Sequence, residues 1–450
     1  MSEQKQSSDL IYGLNDRPPL RQSLFAALQH LLAIFVAIIT PPLIISSALK
    51  FDLETTGFLV SMSLFVSGIA TFIQCRRIGP LGAGLLCIQG TSFSFITPII
   101  GAGMIGMVGG QIDAPKALSY IFGACMVASV VEMAVSRLLP YARKIITPLV
   151  SGIVVTLIGL CLIKAGINSC GGGQAAIDDG TFGSLQHLGL AILVLVTIIF
   201  FNRSQNKYIR MGSIVIGLIV GCVVAWTMGM IDISQLRGAG KINVPVPFKY
   251  GLHFDVGSII ALGIIYLVTA VEAFGDITAN SLISGQPVEG PVFMKRAQGG
   301  ILADGFNSML AAVFNSFPNS IFAQNNGMIQ LTGVASRYVG YFIAGALFLL
   351  GLFPVVGQFF SLIPDCVLGG ATLLMFGTVA ASGIRIIAAA KIDRKAVLVM
   401  AISFAMDMSV ELVPGILDKM PQLIHSIFAS GISTGGITAI LANALIKMKK

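Results

Sequence analysis

Charge is what this sequence has little of. Only 11% of its 450 residues are Asp, Glu, Lys or Arg, against about 25% in a soluble domain, so a water-soluble globular fold is excluded. The seven cysteines (Cys75, Cys87, Cys125, Cys161, Cys170, Cys222 and Cys366) are odd in number and scattered through apolar runs. They form neither a disulfide framework nor a metal-ligand spacing. Also missing are a Gly-rich phosphate loop ending in Lys-Ser/Thr, a metal-ligand cluster and a nucleophile–base pair. Those gaps disfavour an ATPase and an intramembrane hydrolase, and no cofactor is implied. The polar start, Met1 to Asp16 and then Arg17-Pro18-Pro19, lacks the short apolar run and small-residue cleavage site of a removable signal peptide. The first apolar segment is therefore expected to stay as a membrane span.

What the chain has instead is 55% hydrophobic residues, 51 glycines and a mean hydropathy of +0.89. This is the composition of an all-α polytopic membrane protein, whose unit is a span of about 20 apolar residues. Fourteen such spans are read at 24–49, 56–74, 81–102, 116–136, 145–165, 186–201, 212–231, 256–276, 297–317, 321–334, 337–357, 364–383, 395–412 and 424–447, the third and tenth being the least helix-like. Placing the N-terminus in the cytoplasm puts 21 of the 28 Lys and Arg residues on the cytoplasmic side. That agrees with the positive-inside rule, and dropping one middle span would scramble it. The net charge of +8 reflects this topology, since the basic residues fall in short loops, and nucleic-acid binding is rejected.

Repetition is faint. Gly152 and Gly159 after Pro148 recur as Gly370 and Gly377 after Pro364, nearly half the chain further on. Seven spans per half, an odd number, require the halves to be inverted, a mark of many secondary transporters.

Polar groups inside the spans carry the chemistry. Glu272 and Asp276 lie four apart, on one helix face; Asp304 and Asp407 are further intramembrane acids. A carboxylate at the bilayer centre costs on the order of 3 kcal/mol, and a carboxyl that alternates between charged and neutral beside a polar ligand is the minimum device for proton coupling. Helix-to-helix hydrogen bonding is the competing role, and the favoured one for Asp407. His30 in the first span is read mainly as a partner of a neighbouring helix. In the third span Gly90, Thr91, Ser92, Ser94 and Thr97 weaken the helix before Pro98. The tenth is broken at Asn326-Gly327 downstream of Pro318. Broken spans survive where the freed backbone lines a cavity or is buried in protein, and one in each half points to a transporter site at the midplane. Phe93 and Phe95 stand where an aromatic could stack on a flat ligand, though packing is the commoner role.

The block Gln324-Asn325-Asn326-Gly327-Met328-Ile329-Gln330-Leu331-Thr332-Gly333 resembles the signature of the nucleobase–ascorbate transporter family. Four further stretches resemble family blocks in the expected order: Gln89 to Phe93, Glu272 to Thr278, Gly300 to Asn307 and Phe314 to Asn319. The opening Arg17-Pro18-Pro19 with Gln29-His30-Leu31-Leu32 points toward bacterial xanthine permeases. The likeness covers nearly the whole chain.

The resemblance implies a proton-coupled xanthine importer of the bacterial inner membrane, both termini cytoplasmic. Its fourteen spans form two inverted seven-span repeats, with short strand-like pieces in spans 3 and 10. After a tail (1–23), a core domain takes 24–136 and 256–357, and a gate domain takes 145–231 and 364–447. A homodimer through the gate and an elevator-type motion of the core are expected. Glu272, Gln324, Phe93, Asn325 and Ala323 are implied in substrate binding; Glu272, Asp304, Asp276 and His30 in proton coupling or support of the site. Ser92 departs from the Asn of some xanthine-selective relatives, which leaves urate or a broader range open. The alternatives are a uracil or urate permease of the same family and, from another class, an anion exchanger of the same fold.

Overall fold

The computed structural model describes residues 10–108, 111–142, 147–206, 209–210, 212–232, 244–390, 392–417, 419–421, 428 and 430–446. Along the chain run α1 (Leu20–Ala48), α2 (Leu53–Arg76), β1 (Gln89–Thr91), α3 (Ile96–Met104), β2 (Met107–Val108), β3 (Gln111–Ile112), α4 (Ala114–Ala142), α5 (Pro148–Cys170), α6 (Gly173–Asp178), α7 (Leu185–Asn202) and α8 (Ser213–Thr227). There follow α9 (Val256–Ile283), α10 (Gly290–Val313), β4 (Asn319–Ile321), α11 (Gln324–Thr332), α12 (Arg337–Leu352), α13 (Pro354–Ser361), α14 (Asp365–Ala389), α15 (Arg394–Leu412) and α16 (Gly431–Leu445). Several starts are written in the sequence. Thr147, Ser184, Asp255 and Asp393 each accept a hydrogen bond from the backbone N–H three residues on, which satisfies a donor that the helix itself leaves open.

Among the described residues, seven helices are long and apolar enough to cross a membrane by length and composition: α1, α2, α4, α5, α7, α9 and α14. An eighth is counted if α12 and α13 form one span, and these two are bent by 81°. The expected continuous span 337–357 is thus corrected to a bent pair. Its break at Phe353 precedes Pro354, whose ring disfavours helical backbone in the residue before it. The remaining predicted spans coincide with the less apolar α10 and α15, the short α8 and α16, and two broken segments. Of 424–447, residues 424–427, 429 and 447 lie outside the described residues, as do residues 1–9 of the tail. So do the basic positions Lys5, Arg143, Lys144, Lys207, Arg237, Lys241, Lys391, Lys447, Lys449 and Lys450.

The two broken segments meet. Strands β1 and β4 pair antiparallel, Gln89 with Ile321, Gly90 with Ser320 and Thr91 with Asn319, so backbone freed from helix is satisfied inside the protein. A hydroxyl from a neighbouring helix holds each strand. Thr71 Oγ1 of α2 accepts from Gln89 N (3.0 Å), and Ser308 Oγ of α10 accepts from Asn319 N (3.1 Å) and donates to Asn319 O (3.0 Å). Gly90 is required here: a Cβ on it would lie 2.6 Å from Ile38 and from the Phe322 ring.

Around this pair, α2 packs on α12 and α4 on α10 and α9, with α1 and α11 alongside. A second group is built on close packing of α5 against α14, joined by α7, α8, α15 and α16. Gly159 lets the α14 backbone approach, since a Cβ there would lie 2.3 Å from Ala380 N. Gly377, its proposed repeat mate, faces open space, whereas Gly152 and Gly370 are both closely packed, against Ile387 and against Ala191, so one of the two matched pairs shares a packing role and the other does not.

Candidate functional site

The chain breaks are where functional side chains collect. After β1 the chain passes Phe93–Phe95 as a 3-10 turn into α3, and after β4 it passes Phe322 and Ala323 into α11. Neither helix start has a side-chain cap; Ile96 N donates to Phe93 O, and Asn325 N and Asn326 N donate to Phe322 O and Ala323 O, so what the two starts offer an acceptor is chiefly their partial positive charge. The Phe93 and Phe322 rings stand nearly parallel, 25° apart at 6.5 Å between centroids. Phe93 also meets Phe376 of α14 edge-on at 5.2 Å, which sets this aromatic against the second helix group.

Glu272 projects from α9, which packs against both α3 and α11. It is half-buried, and its Oε2 accepts from Ser94 Oγ at 3.3 Å. Gln324 and Ala323 occupy the start of α11, also half-buried. These partly open groups, one acidic and one carboxamide, supply acceptor and donor capacity for a ligand edge.

Asn325 points the other way, into the protein. Its Nδ2 donates to Leu86 O at 2.6 Å, which leaves Oδ1 as the acceptor for His30 Nδ1, 2.7 Å away. His30 is therefore assigned the Nδ1–H tautomer; it ties α1 to α11 as a helix-to-helix partner. Asn280 Nδ2 bridges Leu86 O (2.9 Å) and Asn326 Oδ1 (3.0 Å). Asp276, one turn beyond Glu272, is buried, and its carbonyl accepts from Asn326 Nδ2 at 3.5 Å. Asp304 is buried on α10 and accepts from Gln89 Nε2, while Asn307 Nδ2 donates to Gln89 Oε1 at 2.6 Å.

One expectation is adjusted, and two side chains take the role the sequence favours for them. Helix α11 starts at Gln324 after a break at Phe322-Ala323, so Gly327 is not the break; it is exposed and a Cβ on it would meet nothing within 4 Å. Phe95 packs on Tyr266 at 4.5 Å and is buried, a core residue. Asp407 sits in the second helix group, where Cys161 Sγ donates to its Oδ1 at 3.0 Å. Reading the sequence missed Asn280 and Glu132, and it names Gln89 and Asn307 only as members of family-like blocks, without a role. Glu132 was detectable as a carboxyl within an apolar span, whereas the amides are defined by partners that only the fold supplies.

Paired broken spans inside a bundle of helices long and apolar enough to cross a membrane mark a multi-pass membrane protein and point to a transporter site at the breaks. Comparisons place it further. Residues 21–416 match the permease family model Xan_ur_permease. The sequence is 51% identical over 448 residues to the xanthine permease XanP of Escherichia coli K12, covering 99% of this chain and 96% of that protein. It is 46% identical over 439 residues to XanQ of the same strain, a xanthine permease (98% and 94%), and 33% over 427 residues to the uric acid permease PucJ of Bacillus subtilis (94% and 92%). The chain belongs to the nucleobase–ascorbate transporter family. Its fold is that of the transmembrane domain of the cyanobacterial bicarbonate transporter BicA (TM-score 0.60, 16% identity, 93% of this chain and 100% of that one). It is likewise similar to the murine anion transporter Slc26a9 (TM-score 0.57, 11% identity, 95% and 69%).

Proposed function

We propose that this permease imports xanthine together with protons across the bacterial inner membrane. The observation that carries the reading is the convergence of Glu272, Phe93, Ala323 and Gln324 on the two uncapped helix starts beside the β1–β4 pair. Xanthine presents N–H donors and C=O acceptors on its edges and a flat ring between them. A carboxylate at Glu272 accepts from two N–H groups, Gln324 both donates and accepts, and Phe93 offers a stacking face. Asn325, held by His30 and Leu86, sets the start of α11 and with it the position of Gln324. Asp276 and Asp304 support the site from behind. The relatives named xanthine permeases, at 51% and 46% identity, support this substrate over an anion.

In this reading α1–α4 and α9–α13 form a core domain (24–136 and 256–357) that carries the substrate past a gate domain (145–231 and 364–447), in an elevator-type cycle. Two copies associate through the gate, and both termini face the cytoplasm. The test is uptake of labelled xanthine by cells expressing the full chain, with urate, uracil, hypoxanthine and sulfate as competitors and with a protonophore. Saturable uptake, abolished by the protonophore and indifferent to sulfate, is expected. Uptake that persists without a proton gradient and follows sodium would overturn the coupling. Glu272→Ala and Gln324→Ala are expected to abolish xanthine binding to purified protein, and normal binding by either would remove that residue from the site.

A further inference from the structure

Glu132 of α4 plays no part in the site described above, yet it is one of the most enclosed acids in the protein. Its side chain is fully buried, as is that of Asp304 on α10, the helix packed against it. Each carboxyl receives one hydrogen bond from outside the pair. Thr269 Oγ1 of α9 reaches Glu132 Oε1 at 3.3 Å, and Gln89 Nε2 of β1 donates to Asp304 Oδ1. The second oxygen of each, Glu132 Oε2 and Asp304 Oδ2, is buried with no donor. The two carboxyls come from neighbouring turns of α4 and α10 where these helices pack closely: a Cβ on Gly305, the residue after Asp304, would lie 3.0 Å from the backbone N of Met133, the residue after Glu132.

Ionised carboxylates only accept, so two ionised groups here would leave two buried acceptors unsatisfied and two like charges side by side. The ionisable side chains that face the pair are Glu272, Asp276 and Tyr266 of α9 and Cys87 before β1; α3, which also packs on α4, has none. None of these is a cation, and among the described residues neither carboxyl forms an ion pair with Lys, Arg or His. One proton between the carboxyls removes both difficulties, because it turns one of them into the donor the other lacks.

We propose that Glu132 and Asp304 form a single protonation site, a carboxyl pair that holds one proton in common and takes up and releases a second during transport. With one proton the pair carries one negative charge. A second proton, taken from water on the loading side, makes both groups neutral, and its return to water on the other side restores the starting form. No bond to the substrate forms or breaks. The pair is wired to the ligand site in two directions. Asp304 holds Gln89 at the start of β1, four residues before Phe93, and Glu132 holds Thr269, one turn before Glu272 on α9. This deepens the proton-coupled reading and rests on it. Glu132 is here a positioning and proton-holding residue that touches no substrate.

The test uses the purified full chain, wild type, Glu132→Gln and Glu132→Asp, reconstituted in liposomes. Two readouts are taken. The infrared difference between wild type and Glu132→Gln at neutral pH, with no gradient, is expected to show a protonated carboxyl C=O band lost in the variant. Xanthine uptake driven by an inward proton gradient is expected to lose its accumulation and its pH dependence in Glu132→Gln, while Glu132→Asp recovers accumulation with a pH profile displaced from that of the wild type. An unchanged pH profile and full accumulation in Glu132→Gln, with no band lost, would overturn the pair. Should Glu132→Gln not yield folded protein, Glu132→Asp is expected to displace the band and the pH profile, and a wild-type result in both overturns the proposal. Wild-type uptake that ignores the gradient would defeat the proton-coupled reading instead, and the infrared measurement would still decide whether the pair holds a proton.

Discussion

Gly90 and Gly327 look alike in the sequence, each the glycine of a polar block inside an apolar chain, and the structure separates them. A methyl group at Gly90 would lie 2.6 Å from Ile38 and from the Phe322 ring. Gly90→Ala is therefore expected to destabilise the protein by about 1–3 kcal/mol, the usual range for overpacking. At Gly327, exposed and with nothing near its Cβ position within α11, alanine removes the helix penalty of glycine and is expected to be neutral or stabilising by up to about 1 kcal/mol. Thermal unfolding of the purified variants in detergent measures both. His30 and Asn325 teach the same lesson about amides and imidazoles. The sequence reads His30 as a partner of a neighbouring helix and, through the resemblance, Asn325 as a ligand contact; both side chains are bonded within the protein, His30 to Asn325 and Asn325 to Leu86.

At the scale of elements, one α-helix holds each strand through a hydroxyl: Thr71 for β1 and Ser308 for β4. Removing either leaves a buried strand N–H without its acceptor, which costs about 1–3 kcal/mol. Thr71→Val and Ser308→Ala are each expected to lower the thermal transition, and the double variant to abolish membrane accumulation, as read by immunoblot. The breaks themselves were legible, because Gly90 to Thr97 and the Pro318 to Gly327 stretch are poor helix formers. Their pairing was not, since β1 and β4 are short and nothing in either one specifies the other. Glu132 went unread for a related reason. A single acid in an apolar span is ambiguous until packing of α4 on α10 brings Asp304 beside it. The bend at Phe353 was hidden because the stretch is apolar on both sides of Pro354, so hydropathy runs on where the helix does not.

Across the whole molecule, the end of α1 is fastened to the second helix group twice. Ser47 Oγ donates to Asp365 Oδ2 at 2.6 Å, and Lys50 Nζ meets Asp178 Oδ2 of α6 at 2.6 Å. Lys50 holds the exposed Asp178 carboxyl below its ordinary value, chiefly through this hydrogen bond and secondly through Gln174. A lowered folded value means the tie is complete above the ordinary carboxylate range and is lost as pH falls through that lower value. If core and gate slide past one another, both fastenings must open. A short bis-methanethiosulfonate crosslinker, which links thiols through reducible disulfides, applied to Ser47→Cys/Asp365→Cys in a cysteine-free background is expected to arrest xanthine uptake, with recovery on reduction. Undiminished uptake by the fully crosslinked protein would remove relative motion at this point.

The β1–β4 pair also bears on how the chain is made. Each strand is half of a ladder whose other half lies in the opposite half of the sequence, so the ribosome has delivered β1 to the membrane long before β4 exists. During that interval the backbone of the third span lacks its final partners, in a solvent that offers none. The first half of the protein is thus committed to waiting for the second. Severing the gene between residues 232 and 255 is expected to yield two fragments that are each degraded alone and persist when expressed together, as followed by pulse-chase labelling.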